Sequence, residues 1–265
     1  MIIYKSKEEI RGIRKSNRIV AKILAELKAL IQPGVSTLEL DEFAEKKARE
    51  MGSVPAFKNY KGYPASLCTS INEEIVHGIP SSSRKLKEGD IIGLDFGVIY
   101  DGYYGDAAVT YPVGNISPKA EKLIQTAKEA FYKGFEKVQI GNRISDISFA
   151  IQNHVESQGF SVIRAFVGHG IGFSLHEEPQ VPNFGLPGRG PKIKAGLTIA
   201  IEPMIAEGGW DVEILHDKWT AVTRDRSLSA HHENTVVSTT QGPEILSKIG
   251  DEKSELPDAK EKYYA

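Results

Sequence analysis

Five side chains are chemically out of place in their surroundings: Asp95, Asp106, His169, Glu202 and Glu233. Each sits in an apolar strand-like run or a glycine-flanked segment, where an unpaired charge carries a heavy desolvation cost. Four carboxylates and one imidazole make a mostly oxygen donor set. Such a set suits two divalent first-row ions better than one structural zinc, which prefers Cys and His in a closed site. A bridged ion pair can hold a hydroxide nucleophile and polarise a neighbouring carbonyl. His77, in VHGIP, and His176, in SLHEEP, are candidates for a second ring of proton donors. Each residue also has a plainer reading. His169 could be a turn residue, Glu202 a strand end before Pro203, and Glu233 a surface residue beside His231 and His232.

Hairpin geometry leaves room for the metal. Ile91–Tyr111 reads as two β-runs around an Asp101–Gly102 turn, a strong hairpin signal. With a two-residue loop, positions whose numbers sum to 203 face one another, so Asp106 opposes Gly97 and Asp95 opposes Ala108. All four then share one face, with Leu94, Phe96 and Val98 on the other. The two carboxylates become diagonal neighbours, roughly 7–8 Å apart or somewhat less at Cβ. A metal ion between them removes both their repulsion and their desolvation cost. The alternative is an exposed hairpin with its acids on the wet face.

Helices must cover that hairpin. Glu8 to Ile31 carries one apolar stripe, Ile13, Val20, Ile23, Leu24, Leu27, Leu30 and Ile31. Its other side holds Arg11, Arg14, Lys15, Arg18 and Lys22, either a solvated face or a contact for an acidic surface such as ribosomal RNA. Pro33-Gly34 breaks the helix, and Ser36 with Glu39 forms a capping box for a second one ending at Gly52. The order recurs: a helix over 118–138, a break at Gly141, and a second helix ending at Gly159. A shift of 107 (159 − 52) carries Gly34 onto Gly141, Leu40 onto Ile147, Phe43 onto Ala150 and Asp95 onto Glu202. The chain therefore reads as a duplicated helix–helix–strand unit in an α+β layer architecture, with matching acids facing a pseudo-twofold axis. Further strands are expected over 161–167, 195–203, 212–215, 219–223 and 233–239.

Composition sets limits. The 265 residues carry a net charge of −2, which gives no bulk attraction to DNA or membrane. A lone cysteine, Cys68, excludes an internal disulfide and fits a reducing, cytoplasmic setting. No leader core or membrane-length apolar run is present. Residues 1–248 read as one catalytic domain, and the charged 249–265 as a loose tail. GHGIG lacks the spacing of a dinucleotide fingerprint and no helical pattern follows it. His169 and His176 would share a helix face, but the flanking glycines oppose a helix there.

GYPASLCTSINEEIVHGIP, LDFGVIYDGYYGD, GHGIG, LHEEPQVPN, TIAIEPM and DRSLSAHHENTVV stand in an order and spacing that closely resembles the type I methionine aminopeptidases, which are pita-bread metallopeptidases. The resemblance runs from the first helix to about Gly242. It implies a pita-bread fold around a curved antiparallel sheet and two divalent ions, with cobalt, manganese, iron(II) and zinc all able to bind. Asp95 would chelate one ion, Asp106 and Glu233 would bridge, and His169 and Glu202 would hold the other, Glu202 also relaying a proton. His176 would hydrogen-bond the scissile carbonyl, an oxyanion role, and His77 would meet the scissile nitrogen. Phe57, Tyr60, Tyr63, Cys68, Leu175 and Trp219 would line a methionine pocket, favourable for a thioether. Phe57 and Leu175 depart from the cysteine and phenylalanine of many bacterial relatives. The implied substrate is the N-terminal methionine of nascent chains with a small second residue. A monomer is expected, with the first helix offering a ribosome contact.

Two other readings compete. Relatives that cleave Xaa–Pro bonds usually carry an extra N-terminal domain, for which no room precedes the first helix. Ligand-less relatives bind histones or RNA, but here all five ligand positions are intact. Glu202 and Glu233 lie 31 apart (233 − 202), too close for the insertion of type II enzymes, and no zinc-finger extension is present, which favours a bacterial type.

Overall fold

The computed structural model describes residues 1–248; the predicted tail lies outside them. Helices α1 (Lys7–Lys28) and α2 (Thr37–Glu50) come first. Strands β1 (Val54–Pro55), β2 (Leu67–Ile71), β3 (Glu74–Val76), β4 (Ile91–Tyr100) and β5 (Tyr103–Pro112) follow. Then come α3 (Pro118–Phe135), α4 (Ile144–Ser157), β6 (Ser161–Val162), β7 (Gly168–Gly170) and β8 (Glu177–Val181). The described chain finishes with β9 (Thr198–Ile201), β10 (Met204–Ala206), β11 (Val212–Ile214), β12 (Ala221–Thr223), β13 (Ser229–Thr239) and β14 (Gly242–Ile245).

The hairpin register is as the turn dictates. Tyr100 pairs with Tyr103, Gly97 with Asp106 and Asp95 with Ala108. Asp101 and Gly102 both have positive φ, +52° and +79°, as a type I′ turn requires. One antiparallel sheet runs β1-β4-β5-β13-β9-β7-β8, with β2 on β4, β10 and β14 on β13, and β6 on β10. A small second sheet runs β11-β12-β3. Side-chain alternation sends Ile92, Leu94, Phe96 and Val98 toward α1 and α2, where they join Val20, Leu24, Leu27, Leu40 and Ala44 in one core. A second core packs α3 and α4 against Ile199, Ile201 and Val236. Asp95, Asp106, Ala108 and Glu233 point to the opposite face, away from the helices.

The duplication extends to individual hydrogen bonds. The Gly34 N–H donates to Leu86 O at 2.8 Å, and Gly141 N–H to Ile193 O at 3.0 Å. Both glycines hold φ near +95° (+95° and +98°), a conformation that disfavours L side chains. Bridge Ser36↔Lys85 recurs as Arg143↔Lys192, and pair Val54↔Ile99 recurs as Ser161↔Ala206, each shifted by 107 at both ends. The pita-bread architecture is therefore two such units side by side, and β5 and β13 meet along their seam with Glu233 opposite Ala108.

Boundaries differ from the pattern in two informative places. The strand expected over 195–203 spans only Thr198–Ile201, because Gly196 turns at φ +84° and Pro203 lacks an N–H. The strand expected over 233–239 is β13, which begins at Ser229 and is followed by β14, and every residue from Ser229 to Ser238 is buried. A strand covered on both faces shows no alternation to read.

Candidate metal centre and adjoining cleft

All five predicted ligands converge on the seam. Asp106, His169 and Glu233 are buried and offer ligand atoms within 4.8 Å of one another. His169 Nε2 lies 3.8 Å from Asp106 Oδ2 and 3.5 Å from Glu202 Oε1. Asp95 shares the hairpin face with Asp106, and Asp95 Oδ1 is buried. The register of β13 with β9 and β10, Ile201↔Asn234 and Met204↔His231, places Glu202 across from Glu233.

Backbone anchors fix these positions. The Asp106 N–H donates to Asn17 Oδ1 at 3.2 Å, and Thr235 Oγ1 donates to Asp106 O at 2.9 Å. Asn183 Nδ2 donates to Glu202 O at 2.9 Å. His169 needs glycine on both sides: a Cβ at Gly168 would lie 2.4 Å from Ala200 O, and one at Gly170 2.3 Å from Glu178 O. The glycines let β7 be hemmed in by backbone while its histidine faces the acids.

The donor set fits divalent ions. Asp95 Oδ1, Asp106 Oδ1 and Glu233 Oε1 are buried without a hydrogen-bond partner, a costly state unless a cation satisfies them. His169 Nδ1 lies 2.9 Å from its neighbour's carbonyl, Gly170 O. That bond leaves Nε2 bare, the form in which imidazole ligates a metal. Burial and mutual repulsion push Asp106, Glu202 and Glu233 well above the usual carboxylate range, and burial also raises Asp95. Burial lowers His169 to about 4, so it is neutral. A bound cation reverses the carboxylate shifts by supplying the missing charge.

The two proposed proton donors flank the acids. His176 stacks edge-on to His169, ring centroids 4.3 Å apart, and its Nδ1 lies 2.7 Å from Tyr60 Oη. Enclosure in the cleft wall and then His169 lower it to about 3. His77 sits at φ +62°, edge-on to Phe166 and Trp219 at 5.5 and 6.3 Å, and burial lowers its pKa. The six pocket candidates form one apolar cluster: Phe57, Tyr63, Cys68 and Leu175 are buried, and Tyr60 and Trp219 pack against them. Phe57 fills the space left by Gly97, where a Cβ would come within 2.7 Å of its ring. Cys68 pairs in register with Asp95, so the apolar cluster abuts the acids.

Two features of the site were not legible in the sequence. His231 is buried with Nε2 unpartnered, 3.9 Å from Glu202 Oε2 and 3.8 Å from Glu233 Oε2. The 107-residue shift carries Asp106 to Glu213 and so does not reveal it; only the strand pairing does, with Met204, the counterpart of Gly97, opposite His231 as Gly97 is opposite Asp106. Lys5 forms a buried ion pair with Glu177, whose other oxygen accepts from the N–H groups of Phe173 and Ser174. That pair ties the N-terminal segment to the loop carrying Leu175 and His176. No local pattern marks it, because the partners are 172 residues apart.

Comparison with known proteins identifies the family. The metallopeptidase family M24 model matches residues 11–240. A methionine aminopeptidase of Clostridium acetobutylicum is 53% identical over 247 residues, covering 93% of this chain and 99% of that protein. Methionine aminopeptidase 1 of Bacillus subtilis is 49% identical, covering 94% and 100%. The crystal structure of the Thermotoga maritima methionine aminopeptidase superposes with a TM-score of 0.92 at 44% identity, covering 94% of this chain and all of that one. An Xaa-Pro dipeptidase from Bacillus anthracis shares the fold, with a TM-score of 0.75 at 22% identity, and this chain spans 62% of it. The chain belongs to metallopeptidase family M24, within its methionine aminopeptidases.

Proposed function

We propose that this aminopeptidase releases the N-terminal methionine of nascent polypeptides with a small second residue. The observation that carries the reading is the register pair Cys68↔Asp95, which sets an apolar, sulfur-lined cluster directly beside the candidate metal ligands. Asp95, Asp106, His169, Glu202 and Glu233 would hold two divalent ions. Cobalt, manganese, iron(II) and zinc all suit this oxygen-rich set. When bound, such ions supply Lewis acidity toward the scissile carbonyl and acidify a water.

The chain's own groups do the rest. The cluster of Phe57, Tyr60, Tyr63, Cys68, Leu175 and Trp219 takes an unbranched thioether against rings and a thiol. Burial raises the pKa of the Tyr60 hydroxyl, which stays protonated and donates a hydrogen bond to His176 Nδ1. His176 Nε2–H is then the free donor, aimed at the carbonyl oxygen as negative charge develops there. Neutral His77 meets the scissile nitrogen. Glu202, at the edge of the ligand set, carries a proton between water and leaving amine.

Arg11, Lys15, Arg18 and Lys22 are exposed on α1, whereas Arg14 is engaged by Glu244. A ribosome contact of a cytoplasmic, monomeric enzyme would use those four cations. The test of the activity is a paired assay on metal-stripped protein, offering Met-Ala-Ser and an Ala-Pro peptide with and without manganese(II). Metal-dependent release from the first alone is expected. Cleavage of the proline peptide alone would overturn the assignment of the apolar cluster.

A further inference from the structure

The symmetry of the fold puts a sixth polar group at the metal centre. Gly97 pairs with Asp106, and its counterpart Met204 pairs with His231. His231 is 4% exposed, and its Nε2 has no hydrogen-bond partner. That atom is 3.9 Å from Glu202 Oε2 and 3.8 Å from Glu233 Oε2. The remaining oxygens face elsewhere: Glu202 Oε1 is 3.5 Å from His169 Nε2, and Glu233 Oε1 is buried and unpartnered. Each carboxylate thus has one oxygen nearest His231 and a second that is not: for Glu202 that second oxygen faces His169, and for Glu233 it is buried with no hydrogen-bond partner. The His231 backbone is clamped, its N–H and C=O both 2.9 Å from Thr110 Oγ1.

We propose that His231 is a positioning residue of the metal site, its Nε2–H holding the outer oxygens of Glu202 and Glu233 so that their inner oxygens face the ions. A carboxylate has two equivalent oxygens and a soft terminal torsion. Occupying one oxygen removes rotated and chelating arrangements and leaves one ligand atom per residue. The inference rests on the metal-site reading above.

The test is cobalt(II) titration of metal-stripped protein, followed by heat and by visible ligand-field absorption, for wild type, His231→Leu and His231→Gln. His231→Leu is expected to weaken binding about 10–100-fold and to shift the bands. His231→Gln keeps an N–H on a similar reach and should recover affinity to within about threefold. Unchanged affinity and bands in His231→Leu would overturn the role. Equal loss in His231→Gln and His231→Leu would overturn it too, because a direct ligand would then be required. Should His231→Leu fail to show a cooperative melt without metal, His231→Asn, whose amide is one carbon shorter, replaces it as the weakened arm. Failure of the wild type to bind cobalt would instead refute the metal-site reading itself.

Discussion

In the first half of the molecule Asp95 and Asp106 stand on one unbroken hairpin of ten-residue strands. In the second half the corresponding places belong to Glu202 and His231, and Glu202 lies with Pro203 in the break between β9 and β10. The scaffold around them is repeated: the same glycine turns, the same bridges, and a carboxylate three residues on (Glu39, Asp146) accepting from the N–H of Ser36 or Arg143 at the helix start. The side chains that reach the seam differ between the two copies. A duplicated unit can keep the backbone that positions a site while each copy changes what it contributes. To the proposed metal centre one copy would supply two aspartates, and the other a histidine and two glutamates.

The comparison is broken most severely at the seam. Asp106→Asn and Glu233→Gln, one from each half, should each lower methionine release by more than about a hundredfold and reduce metal content, since even outer partners cost 10–100-fold. Unequal losses, with one variant near wild type, would mean that the halves do not share the ions. His176 belongs to the second half alone. His176→Ala should lower kcat by roughly 10²–10³ while metal affinity stays at the wild-type value. A fall in metal affinity would move His176 from substrate contact to ligand support.

Lys5→Met breaks a pair that the first half lacks, the strap between the N-terminal segment and Glu177. Both side chains are buried, so a loss of roughly 3 kcal/mol in denaturant unfolding is expected. A loss under 1 kcal/mol would show that the two backbone N–H groups satisfy Glu177 alone. The smallest effect should be the most symmetric. Gly34→Ala and Gly141→Ala introduce no clash, because nothing lies within 4 Å of either added Cβ. Each should cost about 1 kcal/mol from positive φ alone, and unequal costs would mean that the repeated turns are not energetically equivalent.

Much of this was legible because it is local or periodic. The Asp101–Gly102 turn sets the hairpin register, and the register sets which side chains share a face with Asp95. Ser36 with Glu39 marks a helix start without any tertiary context. The 107-residue shift linked Asp95 to Glu202 through matching glycines. His231 escaped because its strand is buried on both faces, so the pair His231-His232 has no alternation to reveal it. The Lys5–Glu177 pair escaped because long-range ion pairing leaves no mark on nearby sequence. The apolar cluster was expected only through family resemblance; its six residues come from three separate stretches, 57–68, 175 and 219, and no spacing joins the three.

The central claim is that both halves deliver their ligands to one two-ion centre. Manganese(II) titration of the metal-stripped protein, read by electron paramagnetic resonance, tests it most directly. The account predicts two ions per chain and a spin-coupled spectrum at saturation. Saturation at one ion, or two ions with the spectrum of isolated manganese, would contradict it.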